Sequence, residues 1–340
     1  MADYGSIVAD RAAQSVARQL KPIYKTAQQE LQQKLEDFES RHAAKDKQMQ
    51  QKLADGRITR EEYQDWLRGQ VFIRKQWNDK ISQVNQVILH ANQEAARIVH
   101  ENKLNVFIEN YNFNAFVGEQ IVGGSFNIYN TQAVAKLIKE HPKVLPEWKI
   151  DKKKDYKWNY KKVNNIVNQG IIQGESVDEI AKRLCNDLST QNENKMRLFA
   201  RTAITGAQNA GRQQQMDDAS QMGIEQHKQW LATMDANTRD AHRALDGQEV
   251  PYNESFESPL GPIDYPGDPS ADPKNTYNCR CTIVTIYPKY EKRDKPNWRE
   301  SIDIDGQSYK EWKNGKQKDG KIVGQEKNHE NQKTHRHDSV

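Results

Sequence analysis

Lys228–Thr282 reads KQWLATMDANTRDAHRALDGQEVPYNESFESPLGPIDYPGDPSADPKNTYNCRCT and holds two of the three cysteines and most of the prolines. Its patterning decides the fold class. Just before and into it, Ile224–Met234 alternates, with Trp230, Ala232 and Met234 on one side, which predicts a strand. Asp235–Gly247 predicts a turn into a short helix, capped by Asn237 or Thr238 and ended by Gly247. Val250 and Tyr252 predict a second short strand. Glu257–Asn275 is too rich in proline for regular structure and is expected to be an ordered meander or loop. Cys279–Tyr287, CRCTIVTIY, has the β-branched content of a strand, on which Cys279 and Cys281 project to the same side. Short strands set among helices make a small α+β module.

The chemistry of this stretch has two readings. Two same-facing thiols and His242 make most of a tetrahedral zinc site, with Asp235 as a fourth ligand. In the other reading Cys279 and Cys281 are core residues, His242 is a hydrogen-bonded structural residue, and no cofactor is required. Three cysteines in a long chain are no disulfide framework.

Upstream, the chain is helical in pattern. Ala2 to about Glu109 is nearly free of Pro and Gly, and Ile7, Val8, Ala12, Val16, Leu20, Leu31 and Leu35 recur at helical steps. Pro22 is expected to interrupt this helix, since it lacks an N–H. Asp55-Gly56 marks a turn, Thr59 and Glu62 form a capping box, and Trp77–Val99 returns as a second long apolar stripe. Together these predict a long helical hairpin. Asn102–Pro146, rich in Asn, Gly and aromatics, predicts loops with a short helix at Gln132–Glu140.

Lys143–Lys162 carries eight lysines among Trp148, Tyr156, Trp158 and Tyr160. It is either a solvated connector or a nucleic-acid contact through Lys152, Lys153, Lys154 and Lys157. A helical unit follows, with Val163, Ile166, Val167, Ile171 and Ile172 on one face, breaks at Gly170 and Gly174, and a capping box at Ser176 and Glu179. Residues 291–340 form a charged tail, largely disordered, in which Trp298, Ile302, Ile304, Tyr309 and Trp312 are the apolar anchors; Asp303–Gly315 reads as a small hairpin or helix docked back on the module, disorder is expected beyond Gly315, and His335 and His337 are ordinary tail residues. The expected division is a helical arm (1–142), a basic aromatic connector (143–162), the α+β module (163–290) and the tail (291–340).

Only 35% of residues are hydrophobic, so much of the length is exposed helix or tail. A net charge of +4 is too small to indicate nucleic acid alone. No apolar run approaches the roughly 18 residues of a membrane span, and the first residues lack the pattern of a secretion signal. The expectation is host cytoplasm, without a membrane partner.

The ordered set ARTAITGAQNAGR (200–212), Gly223-Ile224, Lys228-x-Trp230, Asp235-x-x-Thr238-Arg239-x-x-His242-x-x-Leu245-Asp246-Gly247, Tyr265-Pro-Gly-Asp-Pro269 and Asn278-Cys-Arg-Cys281 resembles the Mu F-like family of bacteriophage minor head, or head morphogenesis, proteins. The resemblance covers roughly residues 160–288. Ala203 departs from it, where an acidic residue often follows the Arg-Thr pair, as does Asn237, where Arg or Lys is common. It marks Arg201, Thr202, Trp230, Asp235, Arg239, His242, Gly247, Asp268, Asn278 and Arg280 as motif residues. It implies a non-enzymatic minor capsid protein of a tailed phage, bound at the portal vertex during procapsid assembly. Its partners would be the portal protein, the major capsid or scaffolding protein and packaged DNA, and its place the virion. Arg239 and Arg280 are then expected to fix the proline loop through Asp246, Asp264 or Asp268. The alternatives are a metal-dependent nuclease using His242, Asp235 and Asp246, or a DNA-binding accessory protein without catalysis.

Overall fold

The computed structural model of the chain describes residues 3–71, 74–146, 151–173, 175–290 and 307–324. In chain order the elements are α1 (Tyr4–Ala54), α2 (Arg60–Val71), α3 (Arg74–Val122), α4 (Thr131–Glu140), α5 (Lys152–Gln173), α6 (Val177–Gln221), β1 (His227–Leu231), α7 (Asp240–Arg243), β2 (Glu249–Pro251), β3 (Phe256–Ser258), β4 (Gly261–Ile263), α8 (Pro273–Thr276), β5 (Thr282–Ile286) and α9 (Tyr309–Lys318). This is the expected α+β class, with helix dominating. No helix among the described residues is long and apolar enough to cross a membrane.

The chain divides into two compact units, and both are discontinuous. One comprises Met1–Gln14, His100–Glu147 and Phe199–Val340; the other comprises Ser15–Val99 and Trp148–Leu198. This differs from the linear division at 142, 162 and 290. Three of the four breaks, after Gln14, Val99 and Leu198, fall inside α1, α3 and α6, and only the one after Glu147 falls between helices.

The all-helical unit buries Val16, Leu20, Tyr24, Leu31, Val84, Ile88, Ala95, Val163, Val167, Leu184 and Leu188. A buried polar chain crosses this core. Tyr24 donates to Asn92 (2.5 Å), Asn92 to Asn192 (3.2 Å) and Asn192 to Asn159 (3.2 Å), tying α1, α3, α6 and α5 together. Contrary to expectation, α1 runs through Pro22. Leu20 and Tyr24 on either side are buried, and that packing outweighs the lost backbone bond. Gly170 likewise does not break α5; a side chain there would meet Ile180 Cγ1 at 2.5 Å, so the glycine serves close helix approach.

In the other unit, β2-β1-β5 form an antiparallel sheet with Trp230 opposite Ile283, and β3-β4 form a hairpin within the proline-rich stretch. The expected loops after Asn102 are instead the second half of α3. Asn112 and Asn114 in it are buried and paired rather than solvated. Asn112 donates to Tyr129 O (2.9 Å) and accepts from Tyr129 N (2.7 Å), while Asn114 donates to Gln215 Oε1 (2.6 Å) and Thr285 Oγ1 (2.9 Å). The docked segment read at Asp303–Gly315 is a helix over its described part, and the disorder expected beyond Gly315 is corrected as far as Gly324, since α9 runs on to Lys318. Ser308 and Glu311 form a capping box that starts α9, and buried Tyr309 and Trp312 pack with Phe113 and Phe116. Trp148, Gly174, Trp298, Ile302, Ile304, His335 and His337 lie outside the described residues.

Candidate functional site

Trp230 on β1 is fully buried, its ring edge-on to His242 (5.3 Å between centroids) and to Phe256 (5.3 Å). β1 pairs with β5, and Cys279 and Cys281 lead into β5, so the indole brings the histidine of α7 against the two cysteines. His242 Nδ1 lies 3.5 Å from Cys279 Sγ and 3.7 Å from Cys281 Sγ. All three residues are buried, with their ligand atoms within 4.8 Å of one another. The two cysteines and the histidine singled out in the sequence therefore do converge.

The histidine tautomer follows from its neighbours. Asn275 Nδ2 donates to Gly261 O (3.1 Å), which turns Asn275 Oδ1 toward His242 Nε2 at 3.0 Å. An amide oxygen only accepts, so the proton sits on Nε2 and the Nδ1 lone pair faces the sulfurs. The thiols are not equivalent. The hydrogen bond between them lowers Cys281 and raises Cys279, which burial raises further.

Asp235 is held elsewhere. Arg280 grips both its carboxylate oxygens, Nη2 to Oδ1 at 2.7 Å and Nη1 to Oδ2, and that pairing draws Asp235 down to about 2. Among the described residues the cluster gains no fourth His, Cys, Asp or Glu. The expected carboxylate partners of the two arginines are also corrected, since Arg239 Nη2 donates to Tyr277 O rather than to an aspartate. Asp268 is buried and acts within its own turn, accepting from Ser270 N (2.8 Å) and Asp264 N (3.1 Å). Asp246 accepts from Ala232 N (2.8 Å), and Gly247 takes a φ of 77°, which favours glycine. Helix α7 begins without the side-chain cap expected of Asn237 or Thr238.

The Arg-Thr pair of α6 has a defined task. Asn278 adopts φ 57°, and there its Oδ1 accepts from Arg201 Nη1 (2.8 Å) and its N–H donates to Thr202 Oγ1 (3.0 Å). Further along the same helix, Thr205 Oγ1 donates to Cys279 O (2.8 Å), and Asn209 bonds Pro266 O, Cys281 O and Ile283 N. Arg212, buried, donates to Asp3 (2.6 Å), Asn110 (3.1 Å) and Ile283 O (2.7 Å). Asn209 and Arg212 stand inside the quoted helix motif, yet their partners are far away in sequence, and nothing local announces their roles.

In the all-helical unit, Lys152, Lys153, Lys154 and Lys157 are exposed on α5, as are Tyr156 and Tyr160, whose rings lie 6.4 Å apart at 18°. Trp158 is instead flanked by Lys162 and Lys195. The basic aromatic stretch is thus helix from Lys152 onward, and part of its aromatic surface is free to stack.

Residues 161–284 match the family described as Phage Mu protein F like protein. The chain is similar to the NAD(+)–arginine ADP-ribosyltransferase EFV of Enterococcus faecalis (strain ATCC 700802 / V583), 30% identical over 167 residues, or 47% of this chain and 33% of that protein. It is also similar to the minor head protein GP7 of Bacillus phage SPP1, 27% identical over 191 residues, 53% of this chain and 58% of that one. An uncharacterized protein of Haemophilus influenzae (strain ATCC 51907 / DSM 11121 / KW20 / Rd) is 26% identical over 131 residues, 38% of this chain and 26% of that one. In each case this chain spans less than two thirds of the relative's length. No solved structure matches. The α6 motif from Ala200, the His242 turn and the Cys279–Cys281 strand entry all lie inside the residues that match this family.

Proposed function

We propose that this protein is a minor capsid protein that acts in head morphogenesis of a tailed phage, bound at the portal vertex and in reach of packaged DNA. The observation that carries the proposal is the paired similarity: the family match over residues 161–284, and the alignment with the SPP1 minor head protein over about half of each chain. Its partners are then the portal protein, the major capsid or scaffolding protein and the phage genome, and its place is the virion.

The chemistry of the module supports a structural role. The carboxylates a nuclease would use are engaged, Asp235 by Arg280 and Asp246 by the Ala232 N–H, and His242 is almost fully enclosed with Nε2 on Asn275. The transferase activity in the name of the Enterococcus relative stays with that protein, of which this chain covers 33%. For DNA, the support lies in α5. Lys152, Lys153 and Lys154 stand exposed in its first turn, with Asp151 accepting from the N–H groups of Lys153 and Lys154, so the cationic side chains rather than the helix end offer the contact to phosphate.

The test is co-expression with the portal protein of the same phage genome, followed by affinity purification through a tag on the portal. Retention of this chain at a fixed ratio to portal supports the proposal. Its loss from the portal fraction, together with its absence by mass spectrometry from heads purified from infected cells, overturns it.

A further inference from the structure

We propose that His242, Cys279 and Cys281 bind one zinc ion, through His242 Nδ1 and the two sulfurs, with a fourth position filled by one small exogenous donor such as water. The geometry is that of a metal site before any adjustment. With Zn–S of about 2.3 Å and Zn–N of about 2.0–2.1 Å, tetrahedral angles place S and N about 3.6 Å apart. The two S···N separations here are 3.5 and 3.7 Å. The ring presents the correct nitrogen, because Asn275 holds the proton on Nε2 and is itself fixed by Gly261 O. Each sulfur also receives a backbone N–H, Cys279 from Cys281 (3.4 Å) and Cys281 from Thr233. Donors aimed at sulfur favour the thiolate, the form that binds metal. Two thiolates and an imidazole select a borderline-soft ion such as zinc over magnesium or calcium, which take oxygen ligands.

The role is a staple. The ligands come from α7 and from the entry to β5, and between them runs the stretch with β2, β3, β4 and α8. Fixing its two ends removes freedom from the unfolded chain and couples folding to metal.

The experiment uses the full-length chain purified under reducing conditions, with metal measured by plasma mass spectrometry. Zinc in a one-to-one ratio is expected. Chelation should lower the melting temperature, and Zn²⁺ alone should restore it. Co²⁺ added to the stripped protein should give the intense visible bands of a tetrahedral thiolate site. Cys279→Ser and His242→Gln are expected to lose zinc. Because either variant could misfold, zinc release from the wild type on titrating its thiols with a mercurial serves as the independent readout. Zinc far below one per chain after reconstitution, with no tetrahedral Co²⁺ spectrum, overturns the assignment. So does a mass two hydrogens lower that marks a Cys279–Cys281 disulfide. Metal content does not depend on portal binding, so the two proposals fail separately.

Discussion

Arg280 and Lys228 are cations in opposite electrostatic settings. Arg280 meets Asp235 in a two-point bond at the surface, whereas Lys228 on β1 is buried, with its ammonium 5.5 Å from the centre of the Phe256 ring and 3.3 Å from Gln213 Oε1. Burial brings Lys228 down to about 8, against the pull of Asp264, Asp217 and Asp268. The sign of the consequence follows from proton binding. Between about 8 and the ordinary lysine value of 10.5 the unfolded chain keeps the proton and the folded chain releases it, so this group adds stability as pH rises through that window. Below about 8 its full desolvation cost is present. Melting temperatures measured from pH 7 to pH 10 for the wild type and Lys228→Met should show the wild type gaining on the variant above pH 8. Parallel curves would show that Lys228 titrates as in water. The strand alternation made the burial of Trp230 legible, and the same alternation buries Lys228 on the neighbouring position. A cation buried between a ring and three carboxylates needs the fold to be seen.

At the scale of elements, the packing of α6 rests on glycines. A Cβ at Gly206 would stand 2.8 Å from Gly267 O, and one at Gly211 would stand 2.5 Å from Phe107 O. Gly267 itself has φ 81° and its missing Cβ would fall 2.7 Å from Gly206 Cα. Helix and Tyr265-Pro-Gly-Asp turn therefore touch backbone to backbone. Gly206→Ala is expected to destabilise by about 1–3 kcal/mol, since neither backbone can yield without disturbing the bonds of Asn209. Gly69→Ala, in exposed α2 with open space around it, should instead stabilise by about 0.5–1 kcal/mol. Urea unfolding of both variants tests the contrast, and equal small effects would refute the close approach. The small residues of ARTAITGAQNAGR made close packing readable from sequence. The turn that packs against them was not, because contact across some sixty residues leaves no local mark. The second half of α3 was misread for a related reason. Asparagine and glycine favour loops in isolation, and only the buried partners of Asn110, Asn112 and Asn114 make them helix residues.

For the whole molecule, function depends on where charge is displayed rather than on its sum. A net charge of +4 says little, while the first turn of α5 concentrates exposed lysines beside the stacked Tyr156 and Tyr160. If this face meets DNA, replacing Lys152, Lys153 and Lys154 with glutamine should reduce the slope of log K against log salt by about 2–3, one counterion released per lost phosphate contact. Fluorescence anisotropy with duplex DNA at several salt concentrations measures it, and an unchanged slope would remove α5 from the interface. The cluster of charge was visible in the sequence; that it forms a helix, with Trp158 covered by Lys162 and Lys195, was not.

The arginine that closes α6 onto β5 has a bearing on how such modules recombine. Two of the three groups bound by Arg212 belong to Asp3 and Asn110, upstream of the matched residues 161–284. A recombination joint placed at the edge of that match would carry the buried guanidinium into a new protein without its carboxylate. Successful exchange of this module between genomes therefore requires the incoming neighbour to supply an acidic group and an amide at equivalent points, or the arginine to change with it.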